Sequence, residues 1–220
     1  MRGLLVVLIA LGAASGAWAQ ARYTPPAGCE ALATLRLPSC IVRHVSACPS
    51  GNIVDGFVEG RYAGRAYYAH PALFLRYEGT DGYVAGHDYG SGTPARSEAL
   101  APGQQFRYAR RVYRNNGETK PGDDGIEVME VGRLGSFEMG GRNYTVRDIR
   151  FEVTNDEGFR YVERALLLAQ PALTLGVTAT TYAADGSVES TANTLPEAIS
   201  LPGDRDFLGF DPAPSCLPSS

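Results

Sequence analysis

An all-β chain is what this sequence predicts: a sandwich or partly closed barrel built from two internally repeated β halves, with disulfides tying in the termini. Three observations carry that expectation. From residue 40 onward, short runs rich in Val, Ile, Tyr and Phe alternate with Gly, Asp and Asn punctuation, the rhythm of sheets built from hairpins. Residues 61–75, RYAGRAYYAHPALFL, recur as residues 160–175, RYVERALLLAQPALTL, with one residue added. Four cysteines, Cys29, Cys40, Cys48 and Cys216, form the even set expected of a cross-linked exported chain.

The repeat is specific. Arg61, Tyr62, Arg65 and Ala66 match Arg160, Tyr161, Arg164 and Ala165; after the added residue, Ala69, Pro71, Ala72, Leu73 and Leu75 match Ala169, Pro171, Ala172, Leu173 and Leu175. Farther on, Glu98-Ala99 answers Glu197-Ala198, Pro102-Gly103 answers Pro202-Gly203, and Phe106 answers Phe207. Two related units sharing a core across a pseudo-two-fold axis follow from this pattern.

Taken in order, residues 1–19 have a basic Arg2, an apolar run and Ala17-Trp18-Ala19 before Gln20, the pattern of a cleaved secretory signal. The apolar run is too short for a spanning helix, so an exported, periplasmic or extracellular protein without a transmembrane segment is expected. Arg2 is the only charged residue of that segment, so its removal moves the formal charge from −4 to −5. An acidic balance argues against nucleic acid as a partner. Residues 20–39 form an arm, 40–113 the first β repeat, 114–125 a polar connecting loop (RNNGETKPGDDG), 126–207 the second repeat and 208–220 a Pro-bearing tail held by Cys216.

Within the repeat, Gly64 disfavours a helix and Tyr67-Tyr68 suits a strand. The added residue among Leu166, Leu167 and Leu168 calls for a β-bulge there, because one extra residue otherwise flips every later side chain to the other face. Pro71 and Pro171 are expected at the first position of the following strand, and Leu73, Leu75, Leu173 and Leu175 to face a common interior. Turns are expected at 79–82, 139–142, 155–158 and 185–186.

If Cys40 to Cys48 is one strand, its ends lie about 26 Å apart, beyond the roughly 7 Å limit for bridged Cα atoms. The pairing expected is Cys29 with Cys40, which closes a short loop containing Pro38, and Cys48 with Cys216, which ties the carboxyl tail to the domain. Cys29 with Cys216 is the alternative, should the 40–48 segment turn back on itself. No C-x-x-C spacing points to metal, and no cofactor is implied. Asp123-Asp124-Gly125 with Glu127, and Asp204 with Asp206, lack the spaced oxygen ligands of a calcium loop and read as solvated turns.

Chemistry has few footholds. The three histidines, His44, His70 and His87, lie in the first half. His70 aligns with Gln170 and reads as a strand-end contact, whereas His87-Asp88 sits in the Gly-rich GYVAGHDYGSGT and is the catalytic candidate. Adjacent residues on a strand point apart, so the two alone make no dyad. No G-x-S-x-G, H-E-x-x-H, phosphate loop or dinucleotide fingerprint is present. FRYARRVYR at 106–114 reads as a charge-protected edge strand. Asn143-Tyr144-Thr145 fits a glycosylation acceptor. Tyrosines concentrate in the first half, and Tyr67, Tyr68 and Tyr77 are the candidate binding residues. The expected role is a non-catalytic binding module for an envelope or extracellular partner, glycan or protein. A hydrolase using His87 or Asp88 is the alternative, and a structural envelope component the third reading.

Overall fold

The computed structural model describes residues 22–70, 72–90, 101–118 and 124–216; the signal-like segment, Pro71 and the His70 side chain lie outside it. Thirteen strands form one antiparallel sheet in the order β12-β11-β10-β9-β8-β7-β6-β5-β4-β3-β2-β1-β13. In chain order these are β1 Glu30–Arg36, β2 Ile41–Cys48, β3 Gly51–Val58, β4 Arg61–His70, β5 Leu73–Gly79, β6 Val84–Asp88 and β7 Gln105–Arg114. The remainder are β8 Asp124–Met139, β9 Arg142–Thr154, β10 Arg160–Leu168, β11 Leu173–Tyr182, β12 Val188–Asn193 and β13 Ala198–Ser200.

Turn chemistry sets the meander. Gly140 and Gly141, both at positive φ, make the two-residue turn between Met139 and Arg142 that right-twisted hairpins favour. Gly79 accepts from Gly82 and donates to Tyr83, Asn155 does the same with Gly158 and Phe159, and Ala183 with Gly186 and Ser187. The polar loop after residue 114 joins β7 to β8, which pair directly with one another, so the sheet runs unbroken past it.

The sheet rolls up without closing. Ala33, Leu35 and Val45 of β1 and β2 share a buried cluster with Tyr144, Val146, Leu168, Leu173 and Leu175 of β9 to β11, so strands from the two ends of the sheet meet face to face. Asn52 Nδ2 also donates to the Ala172 carbonyl at 3.3 Å across the same seam. Each such fully buried Leu contributes roughly 1.5–3 kcal/mol. A second cluster joins Leu73, Tyr89, Tyr108, Met129, Ile149, Phe151 and Ala165. The leucines of the two repeat copies thus fall into different clusters instead of one common interior, because the copies lie six strands apart on a curved sheet.

The strands β1 to β3 are buried on both faces. Their outward residues Val42 and Phe57 are covered by Tyr23 of the amino-terminal arm and by Leu208 and Phe210. Beneath that cover, the Tyr23 hydroxyl donates to Asp55, Arg65 closes a bidentate pair on Asp55 at 2.6 and 3.0 Å, and Tyr23 stacks on His44 at 4.4 Å. Arg36 donates to Ser200 Oγ and to the carbonyls of Asp206 and Asp211. The tail is therefore held by this guanidinium and by Phe210 as well as by Cys216.

Several expectations are corrected. The disulfides are Cys29–Cys48 and Cys40–Cys216. β1 and β2 pair from Glu30 opposite Ala47, which brings Cys29 beside Cys48, while Cys40 sits in the turn between the strands and is left for the tail. β10 runs through Leu166, Leu167 and Leu168 in register with β9. The shift lies instead opposite Arg164 and Ala165, where Val177 of β11 is the extra residue. In the first copy, Ala69 of β4 and Leu75 of β5 are skipped, so bulges in that copy absorb the phase difference. Pro171 follows a cis peptide bond in the turn before β11, not the first strand position. Strand β7 is not an edge: it lies between β6 and β8, and the edges are β12 and β13.

Candidate functional site

Residues from every strand from β1 to β11 line one cavity of about 670 Å³, which places it inside the rolled sheet. Strand alternation determines who enters it. Along β7, Arg110, Val112 and Arg114 point in while Arg107, Ala109, Arg111 and Tyr113 point away. On β2, Arg43 and Val45 point in and His44 points to the outer layer, against Tyr23, Phe57 and Phe210. On β10, Tyr161 and Glu163 point in. The apolar wall comes from Leu35, Val54, Phe74, Phe151, Val153 and Phe159.

The polar groups form two adjoining sets. In the first, Arg110 Nη1 lies 3.6 Å from Glu127 Oε2, both side chains being almost fully buried. Tyr89 Oη makes a long 3.5 Å contact with Glu127 Oε1, and His87 Nδ1 lies 3.0 Å from Tyr89 Oη. Phe74 and Tyr89 meet the His87 ring edge-on. In the second set, the Tyr161 hydroxyl donates to Glu163 Oε2 at 3.1 Å, with Arg43 as the nearby cation. Tyr68 packs edge-on against Phe74 and also feels the Arg43 charge.

Burial shapes the protonation of this lining. It pushes the Glu127 carboxyl up, against the pull of Arg110, and the Glu163 charge raises it further. It pushes the Glu163 carboxyl up against the Tyr161 hydrogen bond and the Arg43 charge. It also raises the hydroxyls of Tyr68, Tyr89 and Tyr161, which stay protonated donors at neutral pH. Tyr108, behind Tyr89, is pushed up to about 12 by burial and by the Glu127 charge. The lining therefore holds three guanidinium groups against two carboxyl groups inclined toward neutrality. Thr174 Oγ1 and Thr194 Oγ1, also in the lining, are buried and have no hydrogen-bond partner among the described residues.

Of the sequence candidates, His87 and Tyr68 reach the cavity. Asp88 does not: it is exposed and accepts from the Gly90 amide at 2.8 Å. Tyr67 turns the other way, donating to Glu78 at 2.8 Å beneath the Arg76 guanidinium. Tyr77 lays its ring over Gly64, and its hydroxyl donates to the Ala63 carbonyl at 2.9 Å. The three tyrosines thus share no single surface. The acidic loop groups are engaged locally: Arg142 pairs with Asp204 at 2.5 Å, and Arg111 reaches Asp124 at 3.7 Å. Among the described residues no group of three or more His, Cys, Asp or Glu is placed to hold a metal ion.

Sequence reasoning missed Arg43, Arg110, Glu127 and Glu163. The alternation of Phe106, Tyr108, Arg110, Val112 and Arg114 was visible, but Arg107 and Arg111 on the other phase masked which face was interior. Glu163 carried a better signal, since it stands where the first copy of the repeat has Gly64. No family model, no curated protein and no solved structure matches the chain.

Proposed function

We propose that this chain is a non-catalytic binding protein whose ligand is a small molecule held inside the rolled sheet. The observation that carries this is the 670 Å³ cavity touched by eleven consecutive strands, of the size and mixed aromatic and polar lining typical of small-molecule sites. It supports a binding role over a purely structural one, and of the three candidate tyrosines it keeps Tyr68 as a contact and sets Tyr67 and Tyr77 aside. The two disulfides accord with an exported protein working in an oxidising compartment. Among the described residues no helix is long and apolar enough to cross a membrane.

Titration with Nile red, a neutral fluorophore that brightens in apolar surroundings, tests the reading. Saturable one-site binding is expected, weakened about tenfold or more by Val112→Trp, which fills the cavity from β7 while circular dichroism stays unchanged. Binding at many sites, or binding indifferent to Val112→Trp, overturns it. A hydrolase is the second reading, favoured by the His87–Tyr89 contact of 3.0 Å within the cavity. A hydrolase substrate panel checks it: activity abolished by His87→Ala supports it, and equal turnover in both proteins removes it.

A further inference from the structure

The cavity wall is unevenly charged, and the unevenness defines a ligand class. Arg43 enters from β2 with Tyr68 of β4 and Glu163 of β10 as its electrostatic neighbours. Its guanidinium makes no hydrogen bond or ion pair within the described residues, unlike Arg65 or Arg142 on the outer face. Arg43 is solvent-exposed on the wall of a mixed aromatic and polar chamber, and a cation with five donors there is a receptor for a planar acid group, which it can engage with two parallel hydrogen bonds. Tyr68, Phe74, Phe159 and Tyr161 also line the chamber, and ring faces favour a flat aromatic body over a flexible chain.

Building on the cavity reading above, we propose that the ligand is an aromatic organic acid, its carboxylate received by Arg43 beside Tyr68 and Glu163 and its rings held between Phe74, Phe159 and Tyr161. Glu163 makes the site respond to pH. When its carboxyl is ionised, it competes with the ligand for Arg43; when protonated, it leaves Arg43 to the ligand. The groups that act on it are Arg43 from β2, Tyr68 from β4, Glu127 from β8 and Tyr161 on its own strand, with Arg110 from β7 acting in turn on Glu127 and Tyr161. The Glu127 carboxyl adds negative charge to the chamber, so its protonation shifts affinity in the same direction. Affinity for the acid therefore rises as pH falls through the raised range of these two carboxyls toward the ordinary carboxylate value.

The test compares naphthaleneacetic acid, naphthaleneacetamide and decanoic acid as displacers of Nile red. The aromatic acid is expected to bind most tightly and the amide about 10- to 100-fold more weakly, the range set by one charge-assisted contact. Arg43→Met should weaken the acid by a similar factor and leave the amide unchanged. Glu163→Gln should raise affinity for the acid at pH 8 and flatten its pH dependence. Equal binding of acid and amide, or an Arg43→Met protein that holds the acid as well as the parent, overturns the acid site while Nile red binding sustains the cavity reading. Decanoic acid matching the aromatic acid overturns the ring preference. Failure of Nile red and all three compounds to bind removes both.

Discussion

Arg65 in β4 and Arg164 in β10 hold the same place in the repeated text. Arg65 closes a bidentate pair on Asp55, whose side chain is 1% exposed, whereas Arg164 reaches Asp148 at 4.0 Å with both side chains about two-thirds exposed. The copied strands are not the source of the difference; their neighbours are. Arg65 lies opposite Asp55 on β3, under the cover of Tyr23 and the tail, while Arg164 lies opposite Arg150 on the solvated face of β9. The same contrast holds one residue earlier. Glu163 points into the cavity, but at Gly64 a side chain is excluded: a Cβ there would stand 2.3 Å from the Tyr77 hydroxyl and 2.7 Å from the Glu78 carbonyl. A duplicated segment keeps its strand character and takes its function from what it is laid against.

The largest expected effect separates the two arginines. Arg65→Ala leaves Asp55 buried without its cation and should lower unfolding stability by about 3–5 kcal/mol in urea titration, while Arg164→Ala should change it by less than about 1 kcal/mol. Equal losses would dissolve the contrast.

Next comes His44, beside the Asp55–Arg65 pair. Burial, aided by the Arg36 charge, lowers its pKa from 6.5 to about 4. The unfolded chain takes up this proton below pH 6.5, and the folded chain refuses it until about pH 4. Stability should therefore fall as pH drops through that window, by about 3 kcal/mol in all, and His44→Gln should remove the slope.

Gly64→Ala is smaller, about 1–3 kcal/mol, since the methyl meets a backbone carbonyl that cannot rotate aside. The smallest is Glu163→Gln. Its folded pKa is raised, so the stability it contributes is present below the unfolded carboxylate value and is lost as pH rises through the folded one. Removing the carboxyl should flatten that decline, a slope opposite in sign to that of His44.

The strands and turns were legible because they are local. Tyr67-Tyr68, the 139–142 turn and the Asn155–Gly158 turn announce themselves within a few residues, and the repeated text marked β4 and β10. The roll was not legible, since it depends on β1 and β2 meeting β10 and β11 across more than a hundred residues. Three misreadings share that cause. Pairing Cys29 with Cys48 required knowing that β1 and β2 are neighbours, judging β7 required knowing its flanking strands, and assigning Tyr67 and Tyr68 to opposite faces required knowing which side is enclosed. Arg43 and Glu163 sit on different halves, and nothing in either half alone brings them together.

Every ladder except β1 with β13 joins strands that follow one another in the chain. Such a thread has no crossings to respect, so a doubled stretch of sequence is admitted simply by inserting its strands where they fall. The outcome is a wider girth and a roomier lumen, because the circumference grows with each strand added. Copying alone can thus enlarge the space a sheet encloses, and Glu163 in one copy against Gly64 in the other shows that the copies then differ in what they present to it.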